Sequence, residues 1–397
     1  MKILILNYEF PPLGGGAGIV TKHLLDEFTR LGHQVTLITA WFEGEDEFYR
    51  DDYLTVIRLK SKRSKIYQSN PLEMASWMFH AISYVRTHPE LKENDVCLTN
   101  FSIPGGPVAY LAKKLYGIPY ILLSHAHDIP WYYPRKMFFW HLLLYFPIRF
   151  FCLRSTYNVV VADEMKAAID KLVGRKRAIK NQVIYNGLHI DRFRKQFTGN
   201  KLKILFVGRL VPQKAPFVFL NAIKELSQSG VPMEVTVLGD GELREKMEEF
   251  ILMNGLTDVV MRGKVPHLEV YKELYDSHLL ISSSENEGMS IAILEAVSTG
   301  VYVIATPASG NDNLVEENIS GNIVPFGNYR VIAQCVKKFY AEKFLNNYSY
   351  PDDYLLRVEK KFAWKNIALD YLHLIYQCAK PVAKPVPAGA EVNEHVS

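Results

Sequence analysis

Two glutamates, Glu287 and Glu295, stand eight positions apart in the run Ser284-Glu285-Asn286-Glu287-Gly288-Met289-Ser290-Ile291-Ala292-Ile293-Leu294-Glu295-Ala296. The apolar stretch before it, Leu279-Leu280-Ile281-Ser282, reads as a buried strand, and the stretch after it has helical spacing and closes at Gly300. This pattern places Glu287 in a strand-to-helix turn and Glu295 about two turns into the helix. Were both helical, eight steps of about 100° would leave them roughly 80° apart, on one side of the helix. The free N–H groups of such a turn and the positive end of the helix dipole face the same space. Carboxylates for hydroxyls, with amides for an anion, suit a hydroxyl-rich ligand that carries phosphate. Taken alone, the spacing is equally what a surface glutamate and a helix glutamate produce.

Three other groups carry chemistry. Arg209 and Lys214 lie in Gly208-Arg209-Leu210-Val211-Pro212-Gln213-Lys214, directly after the strand pattern Leu202-Lys203-Ile204-Leu205-Phe206-Val207. A guanidinium fork and an ammonium suit a diphosphate, although either alone reads equally as a solvated surface cation. Gly14-Gly15-Gly16-Ala17-Gly18 separates the first strand from a helix over about 19–31. Gly15 and Gly16 there allow an anion to approach the backbone at a helix N-terminus. It is not the dinucleotide Gly-x-Gly-x-x-Gly element, because the third glycine would fall on Ile19 or Thr21. His125 ends the strand Ile121-Leu122-Leu123-Ser124 and opens His125-Ala126-His127-Asp128. A histidine at a strand's carboxyl end can hydrogen-bond a sugar hydroxyl or steady developing charge. Zinc ligation by His-x-His and Asp is the rival reading, but no third and fourth ligands recur at useful spacing. No metal site is expected.

The elements that must position these groups alternate strand and helix throughout, which argues for parallel sheets of βα units. Lys2-Ile3-Leu4-Ile5-Leu6-Asn7 and Lys203-Ile204-Leu205-Phe206-Val207-Gly208 open the two halves alike. The expectation is α/β, with two Rossmann-like domains whose strand ends face one cleft. The first covers 1–195 and the second 196–350. A C-terminal helix, 351–380, crosses back to the first domain, and the Pro- and Ala-rich stretch 381–397 is a disordered tail. The 397 residues can bury two cores of ordinary size. A net charge of +4 implies no nucleic-acid partner. Cys97, Cys152, Cys335 and Cys378 show no metal spacing and read as reduced thiols. Met1-Lys2 runs straight into a strand pattern, no leader is recognisable, and no apolar run reaches the length of a membrane span. These features point to the cytoplasm.

These elements, in this order, resemble the retaining glycosyltransferases of family 4. The family's Glu-Gly-Phe-Gly-x-x-x-x-Glu-Ala signature is matched in spacing by Glu287 to Ala296, with Met289 and Ser290 in place of Phe and Gly. Gly208 to Lys214 resembles its Gly-Arg-x-x-x-x-Lys-Gly element, with Ala215 in place of Gly, and the 125–128 turn resembles its His-Gly-x-Asp, with Ala126 in place of Gly. Val237-Leu238-Gly239-Asp240-Gly241, Arg262-Gly263-Lys264-Val265, Val183 to Gly187 with Ile190, Asp191 and Phe193, and Trp364 match further family elements. The resemblance implies a GT-B fold and transfer of a hexose, with retained configuration, from a nucleotide diphosphate sugar, UDP before GDP or ADP. It implies that Glu295 binds the ribose, Glu287 the hexose, and the backbone near Val265 the base, while N–H groups of Gly288, Met289 and Ser290 reach sugar or phosphate. Arg209, Lys214 and the glycine loop would neutralise the leaving phosphate, with no cofactor and no metal. The chain holds no Asp-x-Asp element. Glu287 is not expected to be a covalent nucleophile, because two carboxylates on one side of a helix do not flank an anomeric carbon. A UDP-sugar 2-epimerase, or a non-catalytic nucleotide-sugar-binding scaffold on the same fold, remains the alternative.

The acceptor side is least legible. Residues 131–154 are dense in aromatics, with Arg135, Lys136, Arg149 and Arg154 among them, and Pro147 is expected to break or kink the helix. Such a segment suits an anionic membrane surface and hence a lipid-linked or glycan acceptor in cell-surface polysaccharide or glycolipid assembly. That would make the protein peripheral at the inner face of the plasma membrane. A long helix packed into its own core has the same composition.

Overall fold

The computed structural model describes residues 1–66, 69–132, 134–189, 199–308 and 310–379. The expected boundary at 195/196, Ile190, Asp191 and Phe193, and the tail 381–397 lie outside them. Among the described residues the strands form two sheets. The first contains β1 (Lys2–Leu6), β2 (Gln34–Ala40), β3 (Phe48–Arg50), β4 (Leu54–Leu59), β5 (Val96–Asn100), β6 (Tyr120–Ser124), β7 (Tyr157–Val160) and β8 (Asn181–Val183). Their spatial order is β3-β4-β2-β1-β5-β6-β7-β8. The second contains β9 (Leu202–Val207), β10 (Met233–Leu238), β11 (Val259–Gly263), β12 (Leu279–Ser282), β13 (Tyr302–Ala305) and β14 (Gly321–Ile323), in the order β11-β10-β9-β12-β13-β14. Neighbouring strands are parallel, apart from the antiparallel β3–β4 pair.

Continuous apolar runs make these strands because both sheet faces are covered. In β1, Ile3 and Ile5 join the core formed with Val20, Leu24 and Phe28 of the Gly16–Arg30 helix, and Leu4 and Leu6 join the opposite core with Trp77 and Ala81. This is the two-residue alternation of a strand buried on both sides. The strand order reverses between β1 and β5 in the first sheet and between β9 and β12 in the second. In open α/β sheets, ligands sit beyond the carboxyl ends of the strands at such a reversal. The glycine loop leaves β1, the Arg209–Lys214 loop leaves β9 and the Glu287 loop leaves β12, so topology alone puts them at the two crevices.

Two sequence expectations change here. The closing stretch is two helices, Asp352–Phe362 and Trp364–Cys378, and Ala363 between them pairs with Leu188. The first stays with the second sheet, where the Tyr354 hydroxyl donates to the Leu314 carbonyl at 3.0 Å. The second packs beside the Gly16–Arg30 helix. The Pro134–Arg154 helix runs on through Pro147 instead of breaking. Pro147 offers no N–H to the Leu143 carbonyl, and Leu143 is exposed, so water can take that place.

Close backbone approach fixes the loop after β9. Gly239 has a φ of +137°, and a Cβ there would sit 1.9 Å from the Gly208 carbonyl oxygen. Gly239→Ala is therefore expected to lower stability by about 2–4 kcal/mol. Urea denaturation checks this, and a loss below about 1 kcal/mol would mean that the two loops part without strain.

Candidate active site

The loops 208–215 and 283–290 leave β9 and β12 side by side and are stitched together by Gln213. Its carbonyl accepts the Glu285 N–H and its side-chain amide donates to the Asn286 carbonyl, both at 2.8 Å. The Ser283 hydroxyl lies 3.0 Å from the carbonyls of Lys214 and Ala215. So held, the Lys214 ammonium forms an ion pair with the Glu287 carboxylate, which also accepts from the Ser284 hydroxyl at 2.8 Å. Both partners are shielded, with side chains 16% and 12% exposed. The Lys214 stem lies over Gly208, where a Cβ would come within 3.3 Å of Cε. Arg209, next along the chain, is exposed.

The helix after β12 begins only at Ile291 and ends at Ser298. Glu295 is therefore about one turn in, not two, and Glu287 lies in the loop, so a helical angle between them does not apply. The bonds from Gln213 and Ser283 keep the preceding residues out of the helix. Glu295 is buried, and His267 Nε2 lies 2.5 Å from its carboxylate. His267 opens the His267–Asp276 helix, just past the half-buried Val265. The bond to Glu295 holds its imidazole above the ordinary value of 6.5, against the opposing effect of burial.

The first domain closes the other side. Gly15 caps the Gly16–Arg30 helix without a side-chain bond, and both glycines are exposed. A Cβ on Gly16 would lie 3.5 Å from Ile291. His125 Nε2 is 2.7 Å from Asn100 Oδ1, and the Asp128 carboxylate accepts the N–H groups of His125, at 2.9 Å, and Ser102, at 3.0 Å. Burial pushes His125 down to about 4 against the pull of Asp128, so the ring is neutral at pH 7 and suited to hydrogen bonding rather than to carrying charge. Gly288 faces this turn: a Cβ on it would meet the His125 carbonyl at 3.2 Å. Met289 is buried, with the Asn186 N–H 3.2 Å from its sulfur, so any contact with a sugar falls to its backbone. Ser290, also buried, caps the helix that carries Glu295. Among the described residues no three His, Cys, Asp or Glu side chains converge as a metal-ion site.

Two family descriptions match this chain in succession: Glycosyltransferase Family 4 over residues 14–192, and Glycosyl transferases group 1 over residues 189–351. The chain belongs to this glycosyltransferase family. An uncharacterized glycosyltransferase of Methanocaldococcus jannaschii is 26% identical over 327 residues, 81% of this chain and 83% of that one. The sucrose-phosphate synthase of Thermosynechococcus elongatus superposes with a TM-score of 0.81 at 16% identity, covering 95% of this chain and 98% of the other. The Anabaena HepE protein, solved in complex with UDP and glucose, gives 0.71 at 17% identity, covering 95% of this chain and 100% of the other. The fold is GT-B.

In this glycosyltransferase, Gly288 meets the His125 turn and Ile291 nears Gly16 of the glycine loop, while Lys214 pairs with Glu287 and Glu295 with His267. Asn100, Ser284, Gln213 and His267 were not singled out from sequence. Ser284, three residues before Glu287, and Asn100, at the end of β5, carried a positional signal. His267 carried none, since its partner is 28 residues away and the contact is tertiary.

The His267–Glu295 pair has a pH signature. A histidine whose folded-state value is raised contributes stability in full below its unfolded value, and loses it as pH rises through the folded one. His267→Ala is expected to cost more stability at pH 5.5 than at pH 9. Urea denaturation at both values checks this, and an equal or reversed cost would exclude a charged pair.

Proposed function

We propose that this chain is a retaining, metal-independent hexosyltransferase that takes a hexose from a nucleotide diphosphate sugar, UDP-linked first. The observation that carries the reading is the shielded Lys214–Glu287 pair at the strand reversal, with exposed Arg209 on the same loop as Lys214 and buried Glu295 one turn into the helix that follows Glu287. Incoming phosphate offers Lys214 a second anion, and sugar hydroxyls offer Glu287 new donors, so donor binding replaces one satisfied pair by two. Arg209 adds a planar donor set for the diphosphate, and Glu295 receives the ribose. UDP and glucose bound to the GT-B protein of Anabaena support a uridine donor. In the front-face route, the departing phosphate, held by Arg209 and Lys214, assists the acceptor hydroxyl's deprotonation.

For the acceptor, the Pro134–Arg154 helix supports a lipid-linked glycan at an anionic membrane surface. Phe139, Leu142, Leu143 and Phe146 are exposed, Phe146 at 76%, while Ile148 and Cys152 face the core. The Arg154 guanidinium lies over the Phe150 ring, and Lys113, Lys114 and Lys180 crowd near it closely enough to lower the Lys113 ammonium, after burial. An apolar ridge ending in Arg154, Lys114 and Lys180 fits acyl chains and anionic headgroups, while the Lys113 ammonium donates to the Arg154 carbonyl at 2.8 Å. Arg149 does not join them: its Nε donates to the Leu172 carbonyl at 2.9 Å. The side chains of Arg135 and Lys136 lie outside the described ones. Among the described residues no helix is long and apolar enough to cross a membrane.

Removing the Glu295 carboxylate should cost about 1.5–3 kcal/mol of donor binding, so Glu295→Ala should weaken UDP roughly tenfold to a hundredfold in calorimetry. Arg209→Ala and Lys214→Ala should each lower turnover at least about tenfold. A panel of UDP-, GDP- and ADP-hexoses, assayed for hydrolysis with and without EDTA, identifies the donor. A metal requirement restored by Mg²⁺ or Mn²⁺ would defeat the phosphate account, and nucleotide binding without any turnover would select the scaffold instead.

A further inference from the structure

We propose that His141 is a positioning residue that couples the lipid-facing helix to the His125 turn, so that seating the helix on an anionic membrane fixes the acceptor side of the active site. This rests on the transferase and membrane readings above. His141 is buried in the middle of the Pro134–Arg154 helix, while Trp140, Leu142 and Leu143 around it are exposed. Its ring reaches both ends of the turn. The Trp131 N–H points at Nδ1 from 3.2 Å, and Nε2 lies 3.0 Å from the His127 carbonyl oxygen. A backbone N–H can only donate, so Nδ1 is the acceptor and Nε2 carries the proton to the carbonyl. One neutral tautomer therefore closes both bonds.

The turn it clamps is strained. Ala126 and Trp131 have φ values of +95° and +69°, in a region that side-chain-bearing residues rarely adopt. Bonds must hold it there: Asp128 does so from inside the turn, and His141 from the helix. On its far side the turn abuts Gly288, next to Glu287. The chain of contacts runs from the exposed ridge through one imidazole to the His125 turn and on to the second domain's sugar-side loop. Trp131 itself is exposed and packs on Phe138, 5.3 Å between ring centroids, so the ridge and the turn share a second contact.

Hydrogen exchange on the full chain, without donor, tests this with phosphatidylglycerol vesicles as the probe. Vesicles should slow amide exchange over 125–132 at least about fivefold in the wild type and in His141→Gln, which keeps one donor and one acceptor. The slowing should vanish in His141→Leu, with vesicle co-sedimentation unchanged. Phe146→Ser, a surface change that spares the clamp, should lose the slowing by losing the vesicles. Equal slowing in His141→Leu, or none in a vesicle-bound wild type, overturns the coupling. Should His141→Leu fail to fold, His141→Asn, too short to close both bonds, should lose the slowing in its place, and slowing retained there overturns the coupling. A wild type that ignores the vesicles overturns the coupling together with the membrane reading, and UDP calorimetry on the same protein shows separately whether the donor reading stands.

Discussion

The site depends on one ion pair kept almost dry. Lys214 and Glu287 are each too shielded to be satisfied by water alone, so each needs the other or a ligand. Removing one partner of such a pair leaves a buried charge, which is costlier than the pair is stabilising. That asymmetry explains the stitching around it. Gln213, Ser283 and Ser284 fix the loops so that two charges meet with no freedom to turn to solvent.

Backbone conformation is the second constraint, and the chain meets it in an unusual way. Ala215 and Ala126 stand where the resembled family has glycine, and both adopt positive φ, +44° and +95°. An L-residue there costs roughly 1–2 kcal/mol. The local bonds supply the compensation. The Ala215 carbonyl meets the Ser283 hydroxyl, and Ala126 lies within the turn held by Asp128. The substitutions leave the loops in the shape glycine would have given and make their hydrogen bonds harder to dispense with.

What the sequence made legible follows period and punctuation. β1, β9 and β12 are uninterrupted apolar runs bounded by glycine, serine or asparagine, so their existence and parallel packing could be read directly, and with them the cleft that receives Arg209, Lys214, Glu287 and the glycine loop. Helix onset was harder. Asn286, Gly288 and Ser290 resist the helix locally, the last as its N-cap, and bonds from the 208–215 loop hold Glu285 and Asn286 besides, so Glu295 falls a turn earlier in the helix than its spacing suggested. Pro147 does not end its helix: the bond it removes is to the carbonyl of exposed Leu143, which water can satisfy. His267 shows the limit of one-dimensional reading, since a contact between the first turns of two neighbouring helices leaves no trace in spacing.

The two domains are also not independent of their connection. Leu188 donates its N–H to the Phe362 carbonyl at 2.8 Å, and its own carbonyl accepts from Trp364 at 3.2 Å. The stretch following β8 is thus laced to the point where the C-terminal helices pass from the second sheet to the first. Trp364 is buried there, over a Gly187 whose Cβ, if present, would strike the indole at 2.3 Å. The domains also touch at Gly16 near Ile291, at Gly288 near the His125 carbonyl, and at the buried Met289, whose sulfur lies 3.2 Å from the Asn186 N–H. The Leu188–Ala363 seam therefore ties the two sheets together through backbone bonds, and the absent side chain of Gly187 is what lets the indole close over it. Beside that seam His23 stacks on Trp364 with ring centroids 4.8 Å apart, and burial, ahead of the neighbouring His189, pushes its value down to about 3, so the ring is neutral.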